Sequence, residues 1–140
     1  MDIFSELSEL LPGLVLYGSE ISDRYSVDWS GESPLRPHIV VRAKTVSDIS
    51  KFLAFCNENK LAVVTQGGLT GLSGGSTPQE SEIVLSVELL SGITDMDVES
   101  MTLTALAGTP LEKLQQAAND AGFYLPLDLG ARGSCTIGGN

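Results

Sequence analysis

Apolar and polar positions change period several times along the 140-residue chain. Ile3, Phe4, Leu7, Leu10 and Leu11 recur at spacings of three and four, which predicts an amphipathic helix over residues 2–11. Pro12-Gly13 ends it, because proline lacks the N–H that would continue the ladder. No period is sustained through 17–37, so that stretch is expected to cross the surface as a loop with solvated acids, anchored by Tyr25 and Trp29. Ile39-Val40-Val41 is a continuous β-branched run, as in a strand buried on both faces. Thr45 stands three residues before Asp48, the spacing of a capping box. Ile49, Phe52, Leu53 and Cys56 follow at i, i+3, i+4 and i+7, so a helix is expected over 46–59. Leu61-Ala62-Val63-Val64 reads as the next buried strand. Strand, helix and strand in succession predict a parallel βαβ unit with a right-handed crossover.

Gln66-Gly67-Gly68-Leu69-Thr70-Gly71-Leu72-Ser73-Gly74-Gly75 follows that strand directly, and Pro78 prevents a helix from starting at once. Ile83 to Val87 is a third strand. Ile93–Val98 and Met101–Ala105 are two more, joined near Glu99-Ser100. In the second of these, Met101, Leu103 and Ala105 alternate with Thr102 and Thr104, which gives one wet face. Thr109 is placed to cap a helix, with Pro110 at its first position and Glu112 completing a capping box. Leu111, Leu114, Ala118 and Ala121 form its stripe, and Gly122 closes it. From Phe123 onward the chain is irregular and rich in glycine.

Composition narrows the classes. The length suits one domain, and 42% hydrophobic residues exclude disorder. Eight Lys+Arg against eighteen Asp+Glu give a net charge of -10, which argues against nucleic-acid binding and against docking on anionic lipid. No apolar run approaches the ~20 residues of a membrane span. Met1-Asp2-Ile3-Phe4 lacks a basic leader, and Cys56 and Cys135 do not make a disulfide framework, so a reducing compartment, the cytosol, is expected.

Glycine lets backbone approach a ligand, and consecutive N–H groups in such a loop form an anion-binding nest that needs no Lys or Arg. A flexible surface loop is the competing reading. The dinucleotide fingerprint G-x-G-x-x-G has no match in this loop, and the phosphate-loop ending Gly-Lys-Ser/Thr is missing. Gly71-Leu72-Ser73-Gly74-Gly75 matches the nucleophile elbow. That motif needs a following helix and a downstream histidine, whereas the single histidine, His38, lies upstream. His38 has no partner at metal-ligand spacing, so neither a catalytic nor a metal residue is assigned. Pro126 to Asn140 is a second loop of ligand type. In it Arg132 faces either a phosphate or solvent, and Asp128 either caps a turn or bonds a ligand. Cys135 is either a packed side chain or a reactive thiol that could attach flavin, while Cys56 is core.

These two loops together resemble the FAD loops of the vanillyl-alcohol oxidase-type (PCMH-type) flavoproteins. The nearest likeness is to D-2-hydroxyglutarate and D-lactate dehydrogenases and the glycolate oxidase large subunit. Asp28-Trp29-Ser30-Gly31, Val40-Val41-Arg42 and the helix from Val46 fit the same group, so the likeness runs over roughly residues 23–140. The resemblance implies an α+β fold, a truncated PCMH-type FAD-binding domain. A small parallel βαβ subdomain would be set beside an antiparallel sheet with helices, with FAD between them. Residues 1–37 would be an N-terminal helix and loop, and 38–140 the first portion of the FAD-binding domain. The cofactor-binding residues it implies are Gln66, Gly67, Gly68, Leu69, Thr70, Gly71 and Leu72 in the first loop. In the second they are Asp128, Leu129, Gly130, Gly133, Ser134, Ile137, Gly138 and Asn140. Leu69 stands where the group more often has Asn or Gly. It cannot bond flavin covalently as a histidine does in some relatives, so noncovalent FAD is expected. The implied reaction is hydride transfer from a small D-2-hydroxy acid to FAD. The group's base, metal ligands and substrate cations come from later chain, so the fragment alone is expected to be inactive and to bind FAD weakly or not at all. A non-catalytic fragment that self-associates into a homo-oligomer through unfinished apolar faces is the alternative.

Overall fold

Strands β1 (Val15–Tyr17), β2 (Ile39–Arg42), β3 (Val63–Gln66) and β4 (Ile83–Ser86) form one sheet in the order β1-β2-β4-β3 in the computed structural model, which describes residues 2–140. β4 runs parallel to both β2 and β3, and β1 pairs antiparallel with β2. The expected parallel βαβ unit is present, but β4 lies between its two strands. All four β4 residues are buried, and the most apolar strand belongs in the middle of a sheet covered on both faces. The long glycine loop carries the chain back for a parallel return, a task that needs a dozen or more residues. β1 was not anticipated, because three residues are too few to show a period.

Side-chain alternation divides the sheet's two faces. Ile39, Val41, Ile83 and Leu85 pack with Leu7 and Leu11, and with Phe52 and Cys56. Leu7 lies in helix α1 (Ile3–Leu10), Leu11 is its C-cap, and the other two residues lie in α2 (Val46–Glu58). Val40, Val64 and Val84 face the other way, onto Ile21 and Tyr25. The α2 capping box forms as predicted: the Thr45 hydroxyl accepts from Asp48 N–H at 3.1 Å, and the Asp48 carboxylate accepts from Thr45 N–H at 2.8 Å.

Residues 17–37 are more than a solvated loop. Tyr25 is buried as expected, but Asp28 is buried too, at 4% exposure, and Trp29 is not an anchor, being 62% exposed. β5 (Ile93–Asp97) and β6 (Thr102–Ala105) form a separate antiparallel hairpin, followed by α3 (Leu111–Asp120). Thr102 and Thr104 make its wet face. Met101, expected inside, lies outside the strand at φ 54° and is exposed. An apolar groove of about 440 Å³ opens between hairpin and α3, lined by Met96, Leu103, Leu114 and Tyr124 among others.

Candidate functional site

The glycine loop leaves the C-terminal end of β3. Carboxyl ends of strands are where open α/β sheets receive ligands. There a cradle of about 260 Å³ is lined by Gly67 to Gly71, Ser73 and Ser76 of the first loop. Cys135, Thr136, Gly139 and Asn140 of the second loop face them, and Asp28 closes one side. Two loops far apart in sequence therefore meet at one cavity.

Their meeting explains two glycines. A Cβ on Gly67 would overlap the Thr136 hydroxyl, and one on Gly68 would overlap the Ser134 carbonyl oxygen and lie 2.8 Å from its carbon. These glycines are needed for loop-to-loop packing, not for left-handed backbone. The left-handed positions in the loop are Leu69, at φ 59°, and Gly74, at φ 73°. A leucine there carries strain that Asn or Gly avoids. Leu69→Asn is expected to stabilise the protein by about 0.5–1 kcal/mol, read as a raised urea midpoint with unchanged slope.

Segment 25–30 clamps the loop from outside. Gln66 is completely buried, and its Nε2 donates to the Tyr25 carbonyl at 2.9 Å and to the Ser76 carbonyl at 2.8 Å. Trp29 N–H donates to the Leu69 carbonyl at 3.1 Å. Asp28 accepts from Ser30 N–H at 2.9 Å and from the Ser76 hydroxyl at 3.4 Å, while the Thr77 hydroxyl accepts from Asp28 N–H. The hydrogen bonds from Ser30 outweigh the cost of burial and hold the Asp28 carboxyl below its ordinary value. Its oxygens are occupied by the clamp, so Asp28 supports the cradle. Sequence reasoning missed it as a site residue. The available signal was Asp-x-Ser, an acid two residues before a small residue whose N–H it can accept.

Tyr25 donates its hydroxyl to Glu88. Burial first, and the Glu88 carboxylate second, push the Tyr25 phenol from 10.0 up to about 12. A raised folded value means the neutral form is the stabilised one. The contribution is complete below pH 10 and is lost as pH rises through about 12. Denaturation between pH 9 and 12 is therefore expected to show an alkaline loss of stability that is shallower in Tyr25→Phe.

The second loop wraps the start of α3, and this corrects the expected cap. The N-cap is Pro110, with no side-chain cap, and the Thr109 hydroxyl instead accepts from Gly92 N–H at 2.9 Å. Orphan first-turn N–H groups must be satisfied somewhere. Leu111 N–H donates to the Cys135 carbonyl and Glu112 N–H to that of Arg132, so loop carbonyls do the work of the predicted capping box.

The two loops do not contribute equally. Gly67, Gly68, Leu69, Thr70, Gly71 and Asn140 line the cradle, while Gln66 lies behind it and Leu72 points to solvent at 77% exposure. Asp128 and Arg132 pair with each other at 2.9 Å, i to i+4, and neither lines the cradle. Nor do Leu129, Gly130, Gly133 and Ser134. Ile137 lines the apolar groove, and Gly138 packs on Ala107. Cys135 is buried, and its sulfur accepts from Asn140 Nδ2 at 3.6 Å.

The donor set suits an anion. Among the described residues, none of the backbone N–H groups from Gly67 to Ser73 donates to a backbone carbonyl. Gly67 to Thr70 are half-buried and Gly71 to Ser73 exposed, so these N–H groups are open to a ligand or to solvent. Thr136 lines the cradle, and its hydroxyl, buried against Gly67, has no partner; Gln66 Oε1 is also unpartnered. Thr136 is thus a second cradle residue that sequence reasoning missed. At about 260 Å³ the cradle is below the ~300 Å³ at which sites begin to enclose a drug-sized ligand, so it has room for only part of a large cofactor. Among the described residues no three His, Cys, Asp or Glu side chains are grouped to hold a metal, and no helix is long and apolar enough to cross a membrane.

The family model described as "FAD binding domain" matches residues 37–140. The chain is 43% identical over 131 residues to the mitochondrial D-2-hydroxyglutarate dehydrogenase of Danio rerio, covering 94% of this chain and 25% of that protein. The Bos taurus counterpart is 40% identical over 139 residues, covering 99% and 26%. A protein of Schizosaccharomyces pombe named as a mitochondrial D-lactate dehydrogenase is 41% identical over 117 residues, covering 84% and 22%. The chain thus spans about a quarter of the length of the curated relatives it matches. A solved alkyldihydroxyacetonephosphate synthase shares the fold at TM-score 0.84 and 14% identity, over 99% of this chain and 29% of that one. The mitochondrial names of these relatives overturn the expectation of a cytosolic location. Cysteine usage separates oxidising from reducing surroundings, not one reducing compartment from another.

Proposed function

Because the chain belongs to the family of FAD binding domains, we propose that its two-loop cradle holds the FAD diphosphate in a flavoenzyme that oxidises a D-2-hydroxy acid. The observation that carries this reading is the run Gly67 to Gly71, whose N–H groups bond to no backbone carbonyl and which lines one cavity together with Thr136 and Asn140 of the second loop. N–H groups oriented together attract an anion without a cation, which reconciles a phosphate ligand with a net charge of -10. Gly67 to Gly71 would hold the diphosphate through backbone, Thr136 would donate its hydroxyl, and Asn140 would reach the same group. The oxidation of a D-2-hydroxy acid is the chemistry named for the relatives, and FAD supplies the two-electron acceptor when bound. This chain binds and orients, and the flavin is held noncovalently, since Leu69 offers no nucleophile and the Cys135 sulfur is buried. Residues 38–140 belong to the cofactor domain, and residues 2–37 add helix α1, strand β1 and the clamp segment to the same sheet and core.

Backbone amide shifts test the reading even for weak binding. Titrating the 140-residue chain with FAD, or with ADP alone, is expected to move the signals of residues 66–76 and 134–140. No movement at millimolar FAD would sink the proposal.

A second reading is favoured by the apolar groove beside α3, with Met101 and Tyr124 exposed at its mouth. Exposed apolar patches drive association. On this reading the chain self-associates there, and sedimentation is expected to show a dimer that Met101→Asp dissociates. A monomer at high concentration would remove it.

A further inference from the structure

We propose that Glu88 is a positioning residue for the glycine loop, acting through Tyr25 and Gln66; the proposal rests on the reading of that loop as the FAD diphosphate site.

Glu88 follows β4 and gathers three segments. Its carboxylate accepts the Tyr25 hydroxyl, pairs with Arg42 Nε at 2.8 Å on β2, and pairs with Arg24 at 2.7 Å beside Tyr25. Burial works against its charge, but the Tyr25 hydroxyl and the two arginines outweigh that and keep it ionised. Tyr25 is thereby fixed at both ends: its hydroxyl by Glu88, and its backbone carbonyl by Gln66 Nε2. The second Nε2 hydrogen goes to the Ser76 carbonyl. One carboxamide thus ties the entry of the glycine loop, at Gln66, to its exit at Ser76, and both to Tyr25.

The loop is held from outside, by Trp29 N–H on the Leu69 carbonyl, by the second loop against Gly67 and Gly68, and by the Tyr25–Gln66 contact. Its N–H groups from Gly67 to Ser73 bond to no backbone carbonyl among the described residues, and glycine-rich backbone is entropically free. Such a loop presents its donors together only if its ends are fixed, and preorganised donors bind more tightly because ordering is not charged against affinity. Glu88 touches no ligand in this scheme, and its effect reaches the cradle through Tyr25, by the Gln66 contact and by the clamp segment that continues to Asp28 and Trp29.

The experiment compares wild type, Glu88→Ala, Glu88→Gln and Tyr25→Phe as full 140-residue chains. The first readout is the 15N order parameter of Gly67 to Ser73 without FAD. Wild type is expected near 0.85, and both Glu88→Ala and Tyr25→Phe below about 0.6, with β4 and α2 unchanged. Glu88→Gln keeps an acceptor for the Tyr25 hydroxyl and is expected to rescue the loop to wild-type order. The second readout is FAD affinity by amide-shift titration, expected to fall about tenfold in the two loosened variants. Unchanged loop order in either Glu88→Ala or Tyr25→Phe overturns the proposal, as does equal loosening of loop and sheet, which is the mark of a merely structural residue. If loop order responds as expected while FAD moves no signal even in wild type, the positioning role stands and the cofactor reading falls.

Discussion

Replacing Gly68 by alanine is expected to part the two loops and abolish FAD binding at the cradle. The added methyl would overlap the Ser134 carbonyl oxygen and sit 2.8 Å from the Ser134 carbon and 3.0 Å from Cys135 Cα. These are backbone atoms, which cannot swing aside as a side-chain tip can. Overpacking costs about 1–3 kcal/mol where side chains can adjust, and a clash with backbone on both sides belongs at or above the top of that range. A fall in the urea midpoint equivalent to about 3 kcal/mol is therefore expected, with loss of FAD-induced shifts at 134–140. Gly130→Ala is the internal control, because nothing lies within 4 Å of the added Cβ and that glycine is not left-handed. Wild-type stability in Gly68→Ala would mean that the second loop can move away freely, and would undo the account of how the cradle is built.

Gly108→Ala should be comparably damaging, for a different reason. Gly108 donates to the Leu90 carbonyl at 2.8 Å, where the chain leaving β4 passes the start of α3. A Cβ there would overlap the Val87 carbonyl oxygen and lie 2.7 Å from that of Leu90. The second loop hangs on this region: Gly138 N–H donates to the Ala107 carbonyl, Ile137 N–H to that of Thr109, and Leu111 N–H to that of Cys135. Pushing residue 108 outward is expected to cost about 3 kcal/mol and to displace Thr136 from the cradle although no ligand contact is mutated. Thermal melting with amide shifts at 134–140 checks both parts. A destabilised protein whose second-loop signals stay in place would show that the loop is held independently of α3.

The positions that sequence reasoning read correctly share one property: their partners are near in the chain. The Thr45–Asp48 capping box, the α1 and α2 stripes apart from the exposed Leu10 and Leu53, and Gly122 at φ 81° each depend on residues within a turn or two. The errors fall where partners are distant. Thr109 was expected to cap α3 because Pro110 and Glu112 surround it, but carbonyls from Arg132 and Cys135 satisfy that helix end. Asp28 was read as solvated because its neighbours are polar, yet Thr77, 49 residues away, meets its backbone N–H. Gln66 was taken for a ligand contact. Instead its carboxamide reaches Tyr25, 41 residues away, and ties the loop from behind.

By itself the sequence determined the helices, every strand but β1, and the two glycine loops, since hydrophobic period and glycine act through the local backbone. Tertiary structure decided the rest. It placed β4 between β2 and β3, because a run buried on both faces looks the same whichever strands flank it. It also decided why the loop holds glycine. At Gly67 and Gly68 the absent Cβ makes room for the second loop, while the left-handed turn falls on Leu69. Steric exclusion by a distant segment leaves no mark in the spacing of residues, and only the folded chain brings Ser134 and Thr136 against those two positions.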